Sequence, residues 1–298
     1  MKRYGLPYQG SKSKIAEKLG AMLPNADVFI DLFAGGCAMT DWALQSGKFG
    51  HVIANDIREP SPVRLFKDAL DGKYNPELFT PQWVSREQFH AEKAHNAYIA
   101  YIWSFGNLGD TYMFGKNIED IKRAAHNFIV HKDYADLSEY INFTDNQVLD
   151  ICALPSIRER RLAFRKIAGS RKLKDIQQLE QLEQLERLER LQQLERLEQL
   201  ERLQQLDILQ LDYRSVVIPD NAVVYCDIPY TGTGKYGKQS FNHDDFWKWV
   251  REQTVPVFVS EYTAPDDFEC ILEIEHISTL SSTNNSKRVV EKLFWNGV

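Results

Sequence analysis

The sequence predicts an α/β protein in which a parallel sheet is interrupted by a long, mainly helical insertion. Two observations predict this class. Short apolar runs recur, and each ends on a polar or acidic side chain, which is typical of buried parallel strands. Between Pro60 and about Leu206 this pattern lapses into aromatic-rich and helical sequence, and it resumes near Leu211. A chain of 298 residues is long enough to bury a core and carry such an insertion.

The first part of the chain predicts a strand, glycine turn, helix, strand unit. The runs VFIDLF at 28–33 and HVIAND at 51–56 have the composition of two buried strands. Residues 38–47 fit the helix between them, which Gly47 would close because glycine adopts the left-handed conformation at little cost. A unit of this kind supplies two neighbouring parallel strands.

Two further strands are predicted after the insertion. Ala222–Cys226 (AVVYC) ends on Asp227, and Val255–Ser260 (VPVFVS) ends on Ser260 and Glu261. In open parallel sheets ligands bind beyond the carboxyl ends of the strands. The acidic residues at these ends therefore mark the expected site.

The composition bears on location and on metal binding. The four cysteines are widely spaced and form no CxxC pair, which indicates free thiols in a reducing cytoplasm and neither disulfides nor a metal site. The N-terminus lacks the apolar core of a signal peptide, and no run approaches eighteen apolar residues. We therefore expect a cytoplasmic protein without a membrane partner; its net charge of −6 decides little about nucleic acid. The cysteines are Cys37, Cys152, Cys226 and Cys270.

A leucine recurs at every third position from 179 to 209, eleven in all, with Gln, Glu and Arg between them. Residues 182–193 and 194–205 are identical at ten of twelve positions, so this is an internal repeat. In an α-helix a three-residue period slips by roughly 60° per step, which excludes a heptad coiled coil. Three conformations stay open: a helix buried on changing sides, a helix that exposes leucines to a protein partner or a second copy, and a tighter path of about three residues per turn.

The turn DLFAGG at 31–36 follows a predicted strand and precedes a helix, where glycines let backbone N–H groups approach a ligand closely. It has neither the GxGxxG spacing of a dinucleotide site nor the GK[ST] ending of a phosphate loop. Asp56 lies 25 residues after Asp31 at the end of the next strand, where an acid can accept hydrogen bonds from ribose hydroxyls. Together these features indicate a nucleoside-bearing cofactor, although each alone also occurs as a structural turn.

The tetrapeptide DIPY at 227–230 is informative because of its place in an order of motifs. That order is Y-x-x-x-K at 8–12, DLFAGG, NDI, a long insertion, LDY, VVYCDIPY and a closing KRVVEKLFWNGV. It resembles the Dam-type (D12 class) DNA adenine N6-methyltransferases, including phage and orphan bacterial members. The resemblance implies a Rossmann-like methyltransferase sheet with helices on both faces, formed by 1–59 and 207–298, and a target-recognition insertion at 60–206 that contains the leucine repeat.

The resemblance also implies S-adenosylmethionine as the cofactor. Residues near the N-terminus and in the first glycine turn would contact its methionine end, Asp56 its ribose, and the LDY segment its adenine. The implied cofactor-binding residues are Tyr8, Lys12, Asp31, Phe33, Gly35, Gly36, Asp56, Asp212, Tyr213 and Asp227.

The chemistry of adenine methylation accounts for the tetrapeptide. The N6 amino group is a poor nucleophile, and two acceptors aimed at its N–H groups stabilise the positive charge that develops as the methyl group arrives. The resemblance assigns these acceptors to Asp227 Oδ and the Ile228 carbonyl, with Pro229 fixing the turn and the Tyr230 ring stacking on the base. The family usually has proline in place of Ile228; the carbonyl survives this change, but the loop loses a rigid residue.

Double-stranded DNA is the expected partner, and its target adenine has to be flipped out of the helix to reach such a site. Residues 158–174 carry eight basic side chains and one acid, a net charge of +7, which favours phosphate contacts, although a solvated helix face has the same pattern. Residues 101–117 cluster aromatics, glycines and asparagine where this family begins to read its target, but core packing also explains them, and GATC recognition is not implied. Candidate DNA contacts are Asn107, Tyr112, Arg158, Arg160, Arg161, Arg165 and Lys166.

Two other functions stay open at this point. An RNA or free-nucleotide N6-adenine methyltransferase could use the same tetrapeptide. A catalytically weakened DNA-binding or assembly protein could instead use the leucine repeat to bind a partner, with Ile228 as the departure that weakens catalysis.

Overall fold

The computed structural model of the protein describes residues 5–169, 182–194, 204–230, 241–278 and 287–298. The chain divides into two compact units. One comprises Met1–Lys67 and Leu197–Val298, and the other comprises Asp68–Arg196. The role of 60–206 as a target-recognition insertion stays a prediction.

The first unit is built on a mixed seven-stranded sheet of order β3-β2-β1-β4-β5-β7-β6. The first five strands of this order pair in parallel, whereas β7 is antiparallel to both β5 and β6. The strands are β1 (Ala26–Asp31), β2 (Phe49–Asn55), β3 (Leu206–Leu209), β4 (Ala222–Asp227), β5 (Val257–Glu261), β6 (Glu269–Ser278) and β7 (Lys287–Trp295).

The four strands that the sequence predicts, β1, β2, β4 and β5, pair in parallel as expected, whereas the C-terminal pair β6 and β7 was not predicted. Antiparallel strands near a sheet edge alternate polar and apolar residues, so β6 and β7 lack the continuous apolar runs that identified the other strands. The strand β3 also begins earlier than expected, because its residues coincide with the end of the leucine period.

The helices are α1 (Ala16–Met22), α2 (Ala38–Ser46), α3 (Pro62–Leu70), α4 (Arg86–Glu92), α5 (Ala97–Ile102), α6 (Glu119–His131), α7 (Ala135–Ser138), α8 (Asp145–Ala153), α9 (Ile157–Gly169), α10 (Glu183–Gln192) and α11 (His243–Arg251). Single 3₁₀ turns occur at Lys12–Lys14, Phe105–Asn107 and Tyr213–Ser215. As predicted, α2 ends at Gly47, whose φ of 68° lies in the left-handed region that favours glycine.

Helices pack on both faces of the sheet. Successive side chains of a strand point to opposite faces, so Phe29 and Ile30 of β1 have different neighbours. The Phe29 ring lies 6.5 Å from the ring of Trp42 in α2. Ile30 instead belongs to a buried cluster that includes Phe246 of α11. This arrangement confirms the predicted α/β fold and is consistent with a Rossmann-like methyltransferase.

The second unit is mainly helical and has its own core. Phe128 of α6, Phe143 and Phe164 of α9 are all buried, and their ring centroids lie 5.9 to 6.4 Å apart. Leu182 and Leu185 of the leucine repeat belong to the same buried cluster. The repeat therefore contributes to the core of this unit.

The helix α10 lies within the leucine repeat, and its surroundings distinguish between the three conformations. All five leucines from 182 to 194 are at most 2 % exposed, and Gln184 and Arg187 between them are buried as well. Arg190 and Gln193 are exposed. Over this stretch the repeat is a helix buried on changing sides, because leucines three residues apart spiral around its axis.

The repeat does not form one continuous element. Leu206 and Leu209 at its end belong to the strand β3. Residues 179–181 and 195–203 of the repeat lie outside the described residues.

Among the described helices, none is long and apolar enough to cross a membrane. The same part of the chain contains no group of three or more His, Cys, Asp or Glu side chains placed to hold a metal ion. All four cysteines have free thiols.

Candidate active site

A cavity in the first unit lies at the carboxyl ends of β1, β2 and β4, and it brings together residues from five separate sequence motifs. Parallel pairing explains this convergence: Asp31 is in register with Ala54 of β2 and with Tyr225 of β4. The strands therefore end at the same edge of the sheet. The cavity is lined by Tyr8, Lys12, Asp31, Phe33, Gly35, Gly36, Asp56, Asp212, Tyr213, Asp227, Ile228, Pro229 and Tyr230, together with other residues.

The glycine turn after β1 is packed tightly against the N-terminal segment. A Cβ atom at Gly36 would lie 2.5 Å from Cβ of Tyr8, and Gly35 has a φ of +50°. The Leu6 N–H donates to the Gly36 carbonyl at 2.8 Å. Glycine is therefore required at Gly36 for the close approach of Tyr8 and is favoured at Gly35 by the backbone conformation.

Asp31 is a buried carboxylate at the end of β1. Its Oδ2 accepts hydrogen bonds from the backbone N–H of Thr40 at 2.9 Å and from the Thr40 hydroxyl at 2.6 Å. Within the described part of the chain its Oδ1 accepts none. Burial raises the pKa of Asp31 to about 7, although the bonds from Thr40 oppose this shift. Such a carboxylate favours a cationic ligand group.

Asp56 at the end of β2 already has partners for both oxygens. Its Oδ2 accepts from the Gly35 N–H at 2.9 Å and from the Arg58 guanidinium at 2.5 Å. Its Oδ1 accepts from the Arg58 backbone and Nε at 3.0 and 2.8 Å. Burial raises the pKa of Asp56 to about 6. The guanidinium of Arg58 also lies 5.0 Å from the ring centroid of Tyr8.

Aromatic rings form one wall of the cavity. Tyr213 lies 5.5 Å from Phe33 and 6.2 Å from Phe241, measured between ring centroids, and all three residues line the cavity. Asp212 begins the turn that carries Tyr213 and holds Arg214 through two contacts of 2.8 Å. A flat aromatic wall of this kind can stack on a planar ring.

A cluster of charges surrounds Asp227 at the end of β4. Lys12 Nζ lies 2.8 Å from Asp227 Oδ1 and 3.5 Å from Oε1 of Glu291 on β7, and it donates to the hydroxyl of Tyr230. The Tyr230 hydroxyl lies 2.5 Å from Glu291 Oε1 and 3.3 Å from Asp227 Oδ1. Since a hydroxyl has one proton, it donates to the nearer carboxylate of Glu291. Lys12, Asp227, Tyr230 and Glu291 are hereafter the Lys12 cluster.

Burial and neighbouring charges shift the pKa values of Asp227 and Lys12. Burial raises the pKa of Asp227, an effect that the Lys12 ammonium opposes and that the Glu291 carboxylate reinforces. Burial alone would lower the pKa of Lys12, but the two carboxylates outweigh it and the pKa is raised. Within the described part of the chain Asp227 Oδ2 has no hydrogen bond, and the side chain is 23 % exposed in the cavity.

The ring of Tyr230 also makes contacts. It stacks on Tyr262 with ring centroids 4.4 Å apart and an angle of 25° between the planes. Lys12 Nζ lies 4.8 Å from its ring centroid. The predicted stacking of Tyr230 on a target base stays a prediction.

Packing and one hydrogen bond hold the loop that contains Ile228. The Ile228 side chain is buried in the same cluster as Phe246 and Trp247 of α11. His243 at the start of α11 donates from Nε2 to the Pro229 carbonyl at 2.8 Å. These contacts fix the loop although residue 228 is isoleucine, where the family usually has proline.

Two of the predicted DNA contacts on α9 are buried. The Arg160 guanidinium donates to the carbonyls of Ile129 and Val130 in the last turn of α6 and to those of Leu154 and Pro155. Arg161 donates from Nε and Nη2 to Glu189 at 2.8 and 3.0 Å and from Nη1 to Glu186 at 2.7 Å.

The burial of Arg160 and Arg161 argues against phosphate contacts by either residue, because both guanidinium groups already bond within the helical unit. The surface charge of α9 is instead supplied by Arg158, Arg165 and Lys166, which are exposed.

The two candidate DNA contacts of the 101–117 segment also have structural partners. Tyr112 is buried and donates to the Val84 carbonyl at 2.7 Å, which argues against a DNA contact. Asn107 has a φ of 60° and donates to the Tyr101 carbonyl at 2.8 Å, so it holds a tight turn. Phe105 and Leu108 on either side of it are exposed.

Sequence reasoning did not identify Arg58, His243, Tyr262 or Glu291. Only Glu291 left a usable signal, since it is an acid two residues before the buried Leu293 and therefore lies on the same face of the strand. His243 and Tyr262 acquire their roles from partners that are distant in sequence. The role of Arg58 depends on the conformation of its side chain.

Comparison with known families agrees with this geometry. The model of a family described as D12 class N6 adenine-specific DNA methyltransferase matches residues 8–254. The match includes the glycine turn, Asp56, the LDY segment and the tetrapeptide, and it ends before β5. No curated protein matches the chain.

Proposed function

The chain belongs to the D12 class N6 adenine-specific DNA methyltransferases, and we propose that it transfers a methyl group from S-adenosylmethionine to N6 of an adenine flipped out of duplex DNA. The family is one of enzymes that methylate adenine in DNA. The cofactor, the flipped base and the residues that act on it are the parts that we propose.

The observation that carries the proposal is the hydrogen bonding of the Asp227 carboxylate. Lys12 fixes one carboxylate oxygen, while the other has no hydrogen-bond partner in the described chain and belongs to a residue that lines the cavity. Asp227 Oδ2 would accept one N–H of the adenine N6 group, and the Ile228 carbonyl would accept the other. Both acceptors stabilise the positive charge that develops on N6 in the transition state.

The residues around the cavity fit S-adenosylmethionine. The Asp31 carboxylate suits its ammonium group, and the rings of Phe33 and Tyr213 suit its adenine. Asp56 would bind the ribose hydroxyls, which requires Arg58 to release at least one carboxylate oxygen. When bound, S-adenosylmethionine supplies an activated methyl group on a sulfonium centre, so the protein contributes mainly by positioning the reactants.

DNA binding is assigned to exposed residues of the helical unit. Arg158, Arg165 and Lys166 on α9 can neutralise phosphates. Phe105 and Leu108 are exposed on the turn held by Asn107, where apolar side chains can contact bases.

Transfer of a tritiated methyl group to duplex DNA, single-stranded DNA and RNA of one sequence tests the substrate. We expect preference for duplex DNA, with N6-methyladenine as the product after digestion to nucleosides. Preference for RNA would contradict the proposal and favour an RNA methyltransferase.

A variant tests the catalytic assignment. Asp227→Ala is expected to lose methyl transfer and to retain DNA binding, because the residue acts on the base and not on the phosphates. The matched control is Asp220→Ala, which alters an exposed aspartate shortly before β4 and should leave transfer unchanged. An active Asp227→Ala protein would refute the assignment.

A further inference from the structure

Glu291 is a buried carboxylate of the cavity region that no motif of the chain assigns to a role, and it lies beyond the residues that the family model matches. We propose that Glu291 is a positioning residue for methyl transfer: it offsets the charge of Lys12, so that the site keeps a net negative charge towards the adenine, and it fixes the Tyr230 hydroxyl. This inference rests on the proposed function.

The sheet topology brings Glu291 to the site. In the order β4-β5-β7, Asp227 is in register with Ser260 of β5, and Ser260 is in register with Leu293 of β7. Glu291 and Leu293 lie on the same face of β7, two residues apart. Glu291 Oε1 therefore reaches the Tyr230 hydroxyl at 2.5 Å and Lys12 Nζ at 3.5 Å.

Burying this carboxylate is costly unless it has partners, and its partners include Lys12 and Tyr230, two residues that line the cavity. It is 2 % exposed. If β7 required only a stable strand, an apolar side chain would serve at this inward position beside Leu293. The placement of an acid here indicates a requirement of the site.

The charges of the Lys12 cluster explain this requirement. With Asp227 and Glu291 ionised and Lys12 protonated, two negative charges and one positive charge leave a net charge of −1. If Glu291 were neutral, Lys12 would compensate Asp227 completely and the net charge would be zero. A net negative site stabilises the positive charge that develops on N6 more strongly than a neutral one.

Glu291 also limits the conformations of Tyr230. Tyr230 is the last residue of the tetrapeptide. Glu291 bonds to its hydroxyl, and Tyr262 stacks on its ring. These contacts anchor the C-terminal side of the tetrapeptide, and the bond from His243 anchors it at Pro229. Together they hold the backbone that carries the Ile228 carbonyl.

The test is the isosteric variant Glu291→Gln, compared with the unaltered enzyme on duplex DNA. We expect kcat to fall about 10- to 100-fold, less than for a group that touches the base, while KM for the cofactor changes less than about threefold. The matched control is Glu273→Gln, which alters an exposed glutamate of the neighbouring strand β6 that pairs with Lys292 and should leave kcat unchanged.

A pH profile separates this role from a structural one. Glu291 raises the pKa of Asp227, so its removal should move the acidic limb of kcat to lower pH while the plateau falls. Among the described residues, other titratable groups that act on Asp227 or Glu291 include Lys12, Tyr225, Cys226, Tyr230, Tyr262 and Asp31, and the variant leaves these in place. A loss of plateau with an unmoved limb would indicate a structural role and overturn the inference.

The double variant Lys12→Met/Glu291→Gln provides a second test, in which both single variants are measured beside it. It restores the net charge of −1, so we expect its kcat to equal or exceed that of Glu291→Gln. Additive losses would contradict the charge argument. If the unaltered enzyme transfers methyl groups to DNA and Glu291→Gln matches it, only this inference fails; if the unaltered enzyme transfers none, the proposed function fails.

Discussion

Lys12 in the sheet-containing unit and Arg161 in the helical unit each lie between two carboxylates, but the two clusters differ in the hydrogen bonds that the carboxylate oxygens make. Glu189 uses both of its oxygens for Arg161, and Glu186 supplies a third contact. Asp227 uses one oxygen for Lys12 and has a second that makes no bond within the described chain. The Arg161 cluster, formed by Arg161, Glu186 and Glu189, is closed in the sense that all three guanidinium nitrogens and both Glu189 oxygens are bonded.

This contrast separates a structural buried charge from a functional one. In the Arg161 cluster the carboxylates raise the pKa of Arg161 despite its burial, and the group joins α9 to α10. In the Lys12 cluster burial raises the pKa of Asp227, and the neighbouring Glu291 carboxylate adds to this effect. Perturbed carboxylates in a cavity indicate a site, whereas a saturated ion pair between helices indicates an anchor.

The largest effect that separates the two clusters is expected for Asp227→Asn. Loss of the carboxylate charge should lower kcat by about 10²- to 10³-fold, because the group acts on the transition state. The matched control Glu186→Gln alters the closed cluster and should leave kcat within about twofold of the unaltered enzyme. Equal losses in the two variants would remove the distinction.

A stability measurement examines the closed cluster. Arg161→Met leaves Glu186 and Glu189 without their buried partner, so the free energy of unfolding should fall by about 3–5 kcal/mol. The control is Arg165→Met, since Arg165 is exposed and lies 3.7 Å from Glu186, and its loss should cost less than about 1 kcal/mol. Denaturant unfolding monitored by circular dichroism gives both values, and a similar small cost for Arg161 would show that the cluster is not an anchor.

The leucines of α10 extend the comparison from charges to packing. Leu188→Ala should destabilise the protein by about 2–5 kcal/mol, because it leaves a cavity in a packed core. The exposed Arg190 two residues away is the control, and Arg190→Ala should stay within about 0.5 kcal/mol. A neutral Leu188→Ala would indicate that this face of α10 serves a partner instead.

The sequence predicted the parts of the site that depend on local order. The glycine turn and the tetrapeptide each follow an apolar strand, and parallel strands must end at one edge, so Asp31, Asp56 and Asp227 could be placed together before the structure was known. The roles of Glu291 and Arg161 could not be predicted, because a charge reveals its partner only when distant segments pack. The leucine period likewise concealed β3, since leucine suits both a helix and a strand.

The smallest effect concerns pH and cofactor binding. The pKa of Asp31 is raised to about 7, and its ionised form would hold the cofactor ammonium, so affinity should fall as pH falls through 7. Between pH 8 and pH 6 calorimetry should give about tenfold weaker binding. Asp31→Asn should bind weakly throughout and lose most of this dependence, and an unchanged slope in the variant would assign it to another group.

We propose that Asp227 and its neighbours act on adenine N6 in DNA. Single-molecule sequencing of DNA from cells that express the chain measures the modified base and its sequence context together. We expect N6-methyladenine in a defined context, and its absence when Asp227→Ala is expressed instead. Unmodified DNA from cells that contain the folded, unaltered protein, or a modified cytosine in its place, would contradict the proposal.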